Sequence, residues 1–186
     1  MNRKVDVRDA RLFIIATEGE KTEKQYFDIF KNPKIRVVVI PSEGGKSAPK
    51  YVLERLDSIK NLYDFGEGDE LWLMIDTDRW GTAALSEVCR GAIQRSFQLA
   101  LSNPCFELWL YLHFNDVAGS NHKCRELEKL LRQHLGSYNK ANLNTEVFKS
   151  NIQNAVKRAK SLHTNKRERW SLSTGTHVYK VVEKLM

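Results

Sequence analysis

Cysteine is scarce: the chain has three (Cys89, Cys105, Cys124), and no two of them share a Cys-x-x-Cys spacing. That pattern excludes a disulfide framework and a cysteine zinc site, and it predicts a reducing, cytoplasmic setting. Long apolar runs are missing as well. The longest, Leu12–Ala16 and Leu71–Ile75, are strand-sized, far short of the ~18 residues of a membrane span, so no membrane association is expected. The charged start, Met1 to Arg11, lacks the apolar core of a secretory signal. With 4 prolines and 10 glycines there is no Gly-, Pro- or Ser-rich linker to divide the chain. A length of 186 residues then predicts one compact unit with a core of its own.

Charge is plentiful but unevenly spread. Lys and Arg number 30 against 23 Asp and Glu, a net +7. Residues 1–120 hold 16 basic and 18 acidic side chains, whereas residues 121–186 hold 14 basic and 5 acidic ones and four of the five histidines. A basic third on a near-neutral body fits either a polyanion-binding face or a solvated helical surface. The expected organisation is an α/β core over 1–120 with a basic helical extension, 121–186, packed on it.

Three apolar runs without alternation, Leu12–Ala16, Val37–Ile40 and Leu71–Ile75, predict strands buried on both faces of a parallel sheet, and Phe97–Leu101 supplies a fourth. Helical spacing between them covers Thr22–Phe30, a segment from Pro49 with Val52, Leu53, Leu56 and Ile59 in phase, and Trp80–Arg95. After residue 102 the pattern predicts helices only: Phe106–Phe114 behind an Asn103-Pro104 cap, His122–Leu135, Asn144–Leu162 and Thr176–Leu185. This order reads as a doubly covered parallel sheet, a Rossmann-like α/β fold.

The acids sit where such a sheet does chemistry, at the carboxyl ends of its strands. The first strand runs into Glu18, with Glu23 about one turn into the next helix. The third ends in Asp76-Thr77-Asp78, whose carboxylates at i and i+2 point to one side and can hold a hard cation through oxygen. Glu107 lies among Phe106, Leu108, Trp109 and Leu110, where a carboxylate requires a metal or an ion-pair partner. Capping and turn roles are the competing readings for Glu18, Glu23 and the Asp pair. Gly44-Gly45-Lys46-Ser47 imitates the end of a phosphate-binding loop, but the first glycine of that motif falls at Ile40, inside a strand. Lys46 remains a candidate anion contact only.

Glu at the end of strand one followed by Asp-x-Asp at the end of strand three is the signature of Toprim domains. More closely, the chain resembles the RloB family, which is Toprim-like. The resemblance rests on Ile14–Glu23, Ile75–Asp78, Ser102–Leu110 and the terminal Ser173–Tyr179. It implies a Toprim-like sheet that binds Mg²⁺ or Mn²⁺, with Glu18, Asp76 and Asp78 as catalytic metal-holding acids and Glu107 and Glu23 as further metal ligands. It also implies a place in bacterial anti-phage or restriction loci, often beside an ATPase of the ABC or AAA type.

The expected activity is metal-dependent hydrolysis of phosphodiesters in RNA or DNA, as the effector of an abortive-infection system, with a homodimer as one arrangement. Lys21, Lys46 and Arg79 are the phosphate contacts expected near the acids. Lys157, Arg158 and Lys160 are expected to track the nucleic-acid backbone; His163, among basic neighbours, is either a surface histidine or a leaving-group acid. The chain is too short for a topoisomerase. A phosphatase of the haloacid-dehalogenase type would carry Asp-x-Asp on its first strand. A non-catalytic nucleic-acid-binding or sensor subunit of an ATPase, and a toxin that occludes a host machine, remain as alternatives.

Overall fold

The computed structural model describes residues 10–118 and 121–186; the charged start of the sequence, residues 1–9, lies outside them. Five strands form one sheet in the order β2-β1-β3-β4-β5. They are β1 (Arg11–Thr17), β2 (Ile35–Ile40), β3 (Glu70–Asp76), β4 (Gln98–Asn103) and β5 (Gly175–Thr176). The first four run parallel and β5 closes the edge antiparallel to β4.

The helices are α1 (Thr22–Phe27), α2 (Pro49–Lys60), α3 (Thr82–Gln94), α4 (Phe106–Tyr111), α5 (Cys124–Leu135), α6 (Glu146–Lys149), α7 (Ile152–Leu162) and α8 (Val178–Leu185), with a 3-10 turn at Asp28–Phe30. Alternate residues of β1 serve the two faces. Leu12, Ile14 and Ala16 pack under α2 and α3 with Val52, Leu56, Val88 and Ala92. Phe13 and Ile15 pack on the other side among Tyr26, Trp109, Leu131 and Val182. Both faces are covered, which is why these strands read as continuous apolar runs.

Residues 121–186 are part of this core and not an appendage to it. Leu127, Leu131, Phe148, Ala155, Val156, Val178 and Val182 belong to the same buried cluster as β1 and α4, and β5 pairs with Ser102 and Asn103. Three further points depart from the sequence reading. A strand, β5, lies in the stretch expected to be helical only. The expected helix Asn144–Leu162 is split into α6 and α7 at Ser150 and Asn151. Cys105, not Asn103, is the residue before the first turn of α4, and the Asn103–Pro104 peptide ahead of it is cis. Among the described residues no helix is long and apolar enough to cross a membrane.

A shared core carries a consequence for unfolding. Leu131 is fully buried, so Leu131→Ala is expected to lower stability by about 2–5 kcal/mol in a single cooperative transition. Denaturant unfolding followed by circular dichroism checks this; a separate early transition for the C-terminal third would show the two regions to be independent.

Candidate metal and phosphate site

The chain places β2 on one side of β1 and then returns to place β3 on the other. Between β1 and β3 lies the point where strand order reverses, the usual crevice for ligands in open α/β sheets. Thr17 of β1 is in register with Met74 of β3, so the residue after β1, Glu18, lies beside the end of β3, Asp76. The Asp76 N–H and the Trp80 indole N–H both donate to Glu18 Oε2, at 3.2 and 3.0 Å. The Thr77 and Asp78 N–H groups donate to Pro104 O at 3.1 and 3.3 Å. That ties the Asp-x-Asp loop to the lead-in of α4, and Glu107 sits in the first turn of that helix.

The outcome is a pocket of about 520 Å³ lined by Glu18, Glu23, Asp76, Asp78 and Glu107. Glu23 reaches back from α1 to accept from the Gly19 N–H at 3.1 Å. The approach is so close that a Cβ on residue 19 would collide with the Glu23 carboxylate; this is where the loop needs glycine. Glu107 is buried and accepts from the Tyr138 hydroxyl at 3.0 Å and from Lys140 Nζ at 2.7 Å. Lys140 also reaches Glu128 of α5 at 2.9 Å. Burial works against its charge, but Glu107 and Glu128 outweigh that and hold the ammonium above its usual range. The expected ion-pair partner of Glu107 is therefore a lysine from the loop after α5, and the carboxylate faces the pocket as well.

Crowding shows in the acid strengths. Burial raises the Glu18 carboxyl, even with the two donors opposing it. Burial, followed by the charges of Glu23, Glu107, Glu18 and Asp78, raises Asp76 well above the usual carboxylate range. Asp78 is raised by burial, with Arg79 opposing. Glu23 is raised to about 7, by burial first and then by Glu107 and Glu18. Carboxylates pushed this far toward protonation are relieved by a nearby cation. Oxygens of Asp76 and Glu107 lie within 4.8 Å of one another, a spacing that a hard, oxygen-seeking divalent ion can bridge; the Cys105 sulfur beside them is held by Cys124 and is no ligand for it.

The cationic candidates divide. Lys21 and Arg79 line the pocket, as does Arg125 at the start of α5. Lys46 is not among the lining residues; its ammonium lies 6.0 Å from the Tyr51 ring centroid and its carbonyl accepts from Arg55 Nη1 at 2.7 Å. Three expected backbone-tracking residues and the proposed acid lie on or just after α7, outside the pocket lining. Arg158 Nη1 donates to Leu112 O at 2.8 Å and its Nε pairs with Asp116 at 3.4 Å. Lys160 is paired with Glu183. Lys157 is exposed on the same helix. His163 is buried and shares a 2.7 Å hydrogen bond with the Tyr179 hydroxyl. Burial, then the Lys180 charge, lowers its pKa, and its ring is packed away from the acids, outside the pocket lining. Arg125, Glu128, Tyr138 and Lys140 carry no sequence signal, since they reach the acids from far along the chain. Trp80 was within sight, adjoining the Asp-x-Asp-Arg run.

Cys105 and Cys124 correct a further expectation. They form a disulfide, where three cysteines in an expected reducing setting predict free thiols; two helix starts 19 residues apart meet at the pocket wall.

An α/β sheet with acids gathered at its strand-order switch defines the class. The chain belongs to the RloB-like protein family, whose model matches residues 13–185, nearly its whole length. No curated protein and no solved structure matched.

The raised Glu23 carboxyl has a consequence for stability. Its pKa in the fold, about 7, exceeds the usual value of 4.5, so the folded state holds the proton more tightly than the unfolded one. The resulting stability is fully present below about pH 4.5 and is lost as pH rises through about 7. Melting temperature in a chelating buffer is expected to fall between pH 5 and pH 7. Glu23→Gln should flatten that dependence, and Mg²⁺ should oppose the loss. A melting temperature that rises over the interval would contradict the burial of an uncompensated carboxylate there.

Proposed function

We propose that this chain is a divalent-cation-dependent nuclease acting on RNA or DNA, with Glu18, Asp76 and Asp78 as its central acids. One observation carries the reading. The pocket lining holds seven carboxylates (Glu18, Glu20, Glu23, Asp76, Asp78, Glu107 and Glu128) against four cations, Lys21, Arg79, Arg125 and Lys140. Such a set is well supplied with oxygen ligands for a hard cation, and a cation bound there would draw the crowded carboxyls into their charged form and offset their repulsion of a phosphodiester.

Asp76, Asp78 and Glu107, with Glu18 and Glu23 beside them, would hold Mg²⁺ or Mn²⁺. A cation held there polarises a scissile phosphate and lowers the pKa of bound water. The remaining work belongs to the chain. The Asp76 and Trp80 N–H groups fix Glu18 Oε2, and burial keeps this carboxyl ready to hold a proton. Lys21, Arg79 and Arg125 line the pocket and would bind and orient phosphate. Family membership supports a role in anti-phage defence beside an ABC- or AAA-type ATPase, in the cytoplasm. A second reading, a nucleic-acid-binding subunit without chemistry of its own, is favoured by the Lys140 ammonium already on Glu107.

Incubating the purified chain with RNA, tRNA, and single- and double-stranded DNA in Mg²⁺ or Mn²⁺ separates the two. Asp76→Asn or Asp78→Asn in a folded protein is expected to reduce cleavage by about 10²–10³-fold, the loss typical of removing one charge-stabilising group. Undiminished cleavage in those variants would sink the nuclease reading, and metal-independent binding without cleavage would favour the second.

Phosphate contacts are tested apart from chemistry. Arg79→Glu or Lys21→Glu should weaken nucleic-acid binding and reduce the slope of log K against log salt by about one. Arg158→Glu should act on stability, because its guanidinium is spent on Leu112 O and Asp116. The opposite pattern, with Arg158 governing the salt slope, would move the binding face to α7.

A further inference from the structure

The wall of the acid pocket contains one covalent feature that cation binding does not use. Cys105, the residue before α4, is bonded to Cys124, the first residue of α5, with Cα atoms 5.9 Å apart. Both residues line the pocket. The Cys124 sulfur lies 3.2 Å from Asp78 Oδ2, and the Cys105 sulfur is within 4.8 Å of oxygens of Asp76 and Glu107. The third cysteine, Cys89, is buried on α3, over the opposite face of the sheet, and takes no part.

We propose that Cys105 and Cys124 form a thiol–disulfide switch that holds or releases the start of α5 over the acid pocket, and so sets the pocket's affinity for a divalent cation. The proposal rests on the cation reading of the pocket only for its second half. Its mechanics follow from what the bond joins. Cys105 is fixed: it is 2% exposed, and the Pro104 carbonyl before it holds the N–H groups of Thr77 and Asp78. Cys124 opens a helix whose Glu128 holds Lys140, and Lys140 in turn sits on Glu107. With the bond closed, α5 is clamped, Lys140 stays on Glu107, and one oxygen ligand is occupied by an ammonium. With the bond open, the sulfurs separate to non-bonded contact and the first turn of α5 is freed. Lys140, whose side chain is already 51% exposed, then yields Glu107 to a cation.

The chemistry balances with a low-molecular-weight thiol of the glutathione class as reductant. A thiolate attacks the Cys124 sulfur, the partly exposed one; Cys105 leaves as thiolate and takes a proton from solvent. A second thiol attacks the mixed disulfide and releases Cys124. Two thiols become one disulfide, and two electrons and two protons pass to the protein. Oxidation by the corresponding disulfide runs the same steps backwards. A pair placed at a functional pocket, in a chain with no other disulfide among the described residues, has the position of a sensor more than of a staple.

The experiment uses the full chain, oxidised with glutathione disulfide or reduced with dithiothreitol. Alkylation and mass measurement should count one free thiol in the first form and three in the second, Cys89 being the constant one. Amide hydrogen exchange over 124–135 should be faster in the reduced form. Mn²⁺ titration should show binding tighter by about tenfold, the usual size of such coupling. The C105S/C124S double variant should give the reduced-form values in both buffers. Three free thiols in the oxidising buffer, equal exchange in the two forms, or measurable but equal Mn²⁺ affinity would each overturn the switch. Unequal exchange with no Mn²⁺ binding in either form would support the switch and count instead against the cation reading.

Discussion

The structure turns on the cost of gathering carboxylates at the edge of an apolar sheet. Glu18 and Glu23 are nearly inaccessible to water and Asp76 is partly so, yet each faces the others. Each is pushed toward protonation, burial being the largest cause and neighbouring acids adding to it. Two faces covered by helices leave such groups one place to go, the lip where β1 and β3 end. What surrounds them is best understood as compensation. Backbone N–H groups of Asp76 and Gly19, the Trp80 indole, the Tyr138 hydroxyl and the Lys140 ammonium each meet a carboxylate oxygen.

That compensation explains what the C-terminal third is for. Its α5 packs Leu127 and Leu131 into the core beside α4, and Gly136, at φ 73°, ends the helix in the left-handed conformation that favours glycine. The chain turns there and brings Tyr138 and Lys140 to Glu107. The same third carries most of the excess positive charge, but part of it is spent internally, as Arg158 on Leu112 O and Lys160 on Glu183 show. A regional charge sum therefore overstates the surface offered to a polyanion, because it cannot tell a paired cation from a solvated one.

This limit also separates what was legible in the sequence from what was not. The parallel sheet could be read from Leu12–Ala16, Val37–Ile40 and Leu71–Ile75 because strands covered on both faces cannot alternate. The acids could be read because each directly follows such a run or, as with Glu107, opens the next helix. β5 was hidden, since two residues carry no period. Lys140 and Arg125 were hidden because they approach the acids through tertiary packing, with no local spacing to betray them. The Cys105–Cys124 bond was hidden for the same reason, its partners joined by the meeting of two helix starts. His163 misled in the opposite direction: basic neighbours in sequence suggested a phosphate surface, while in space its ring packs 4.2 Å from that of His177.

Protons and cations are then rival neutralisers of one cluster. Glu23 is raised to about 7, and Asp76 is raised well above the usual carboxylate range by burial and by the other acids, so both are open to either neutraliser. A proton satisfies one carboxylate and leaves the rest unrelieved, whereas a divalent ion is shared by several and cancels their mutual repulsion in one step. Lys140 is a third neutraliser, built in, but it reaches Glu107 and Glu128 and not the Glu18–Asp76 pair. The fold thus settles the charge of the pocket's α5 side by itself and leaves that of the β1–β3 side to whatever enters. A phosphodiester alone adds negative charge to that side and is opposed; one accompanied by a divalent ion is not. Under the proposed function, electrostatics of this kind would select the order of events, cation before or with phosphate, without any residue having to recognise the cation's identity.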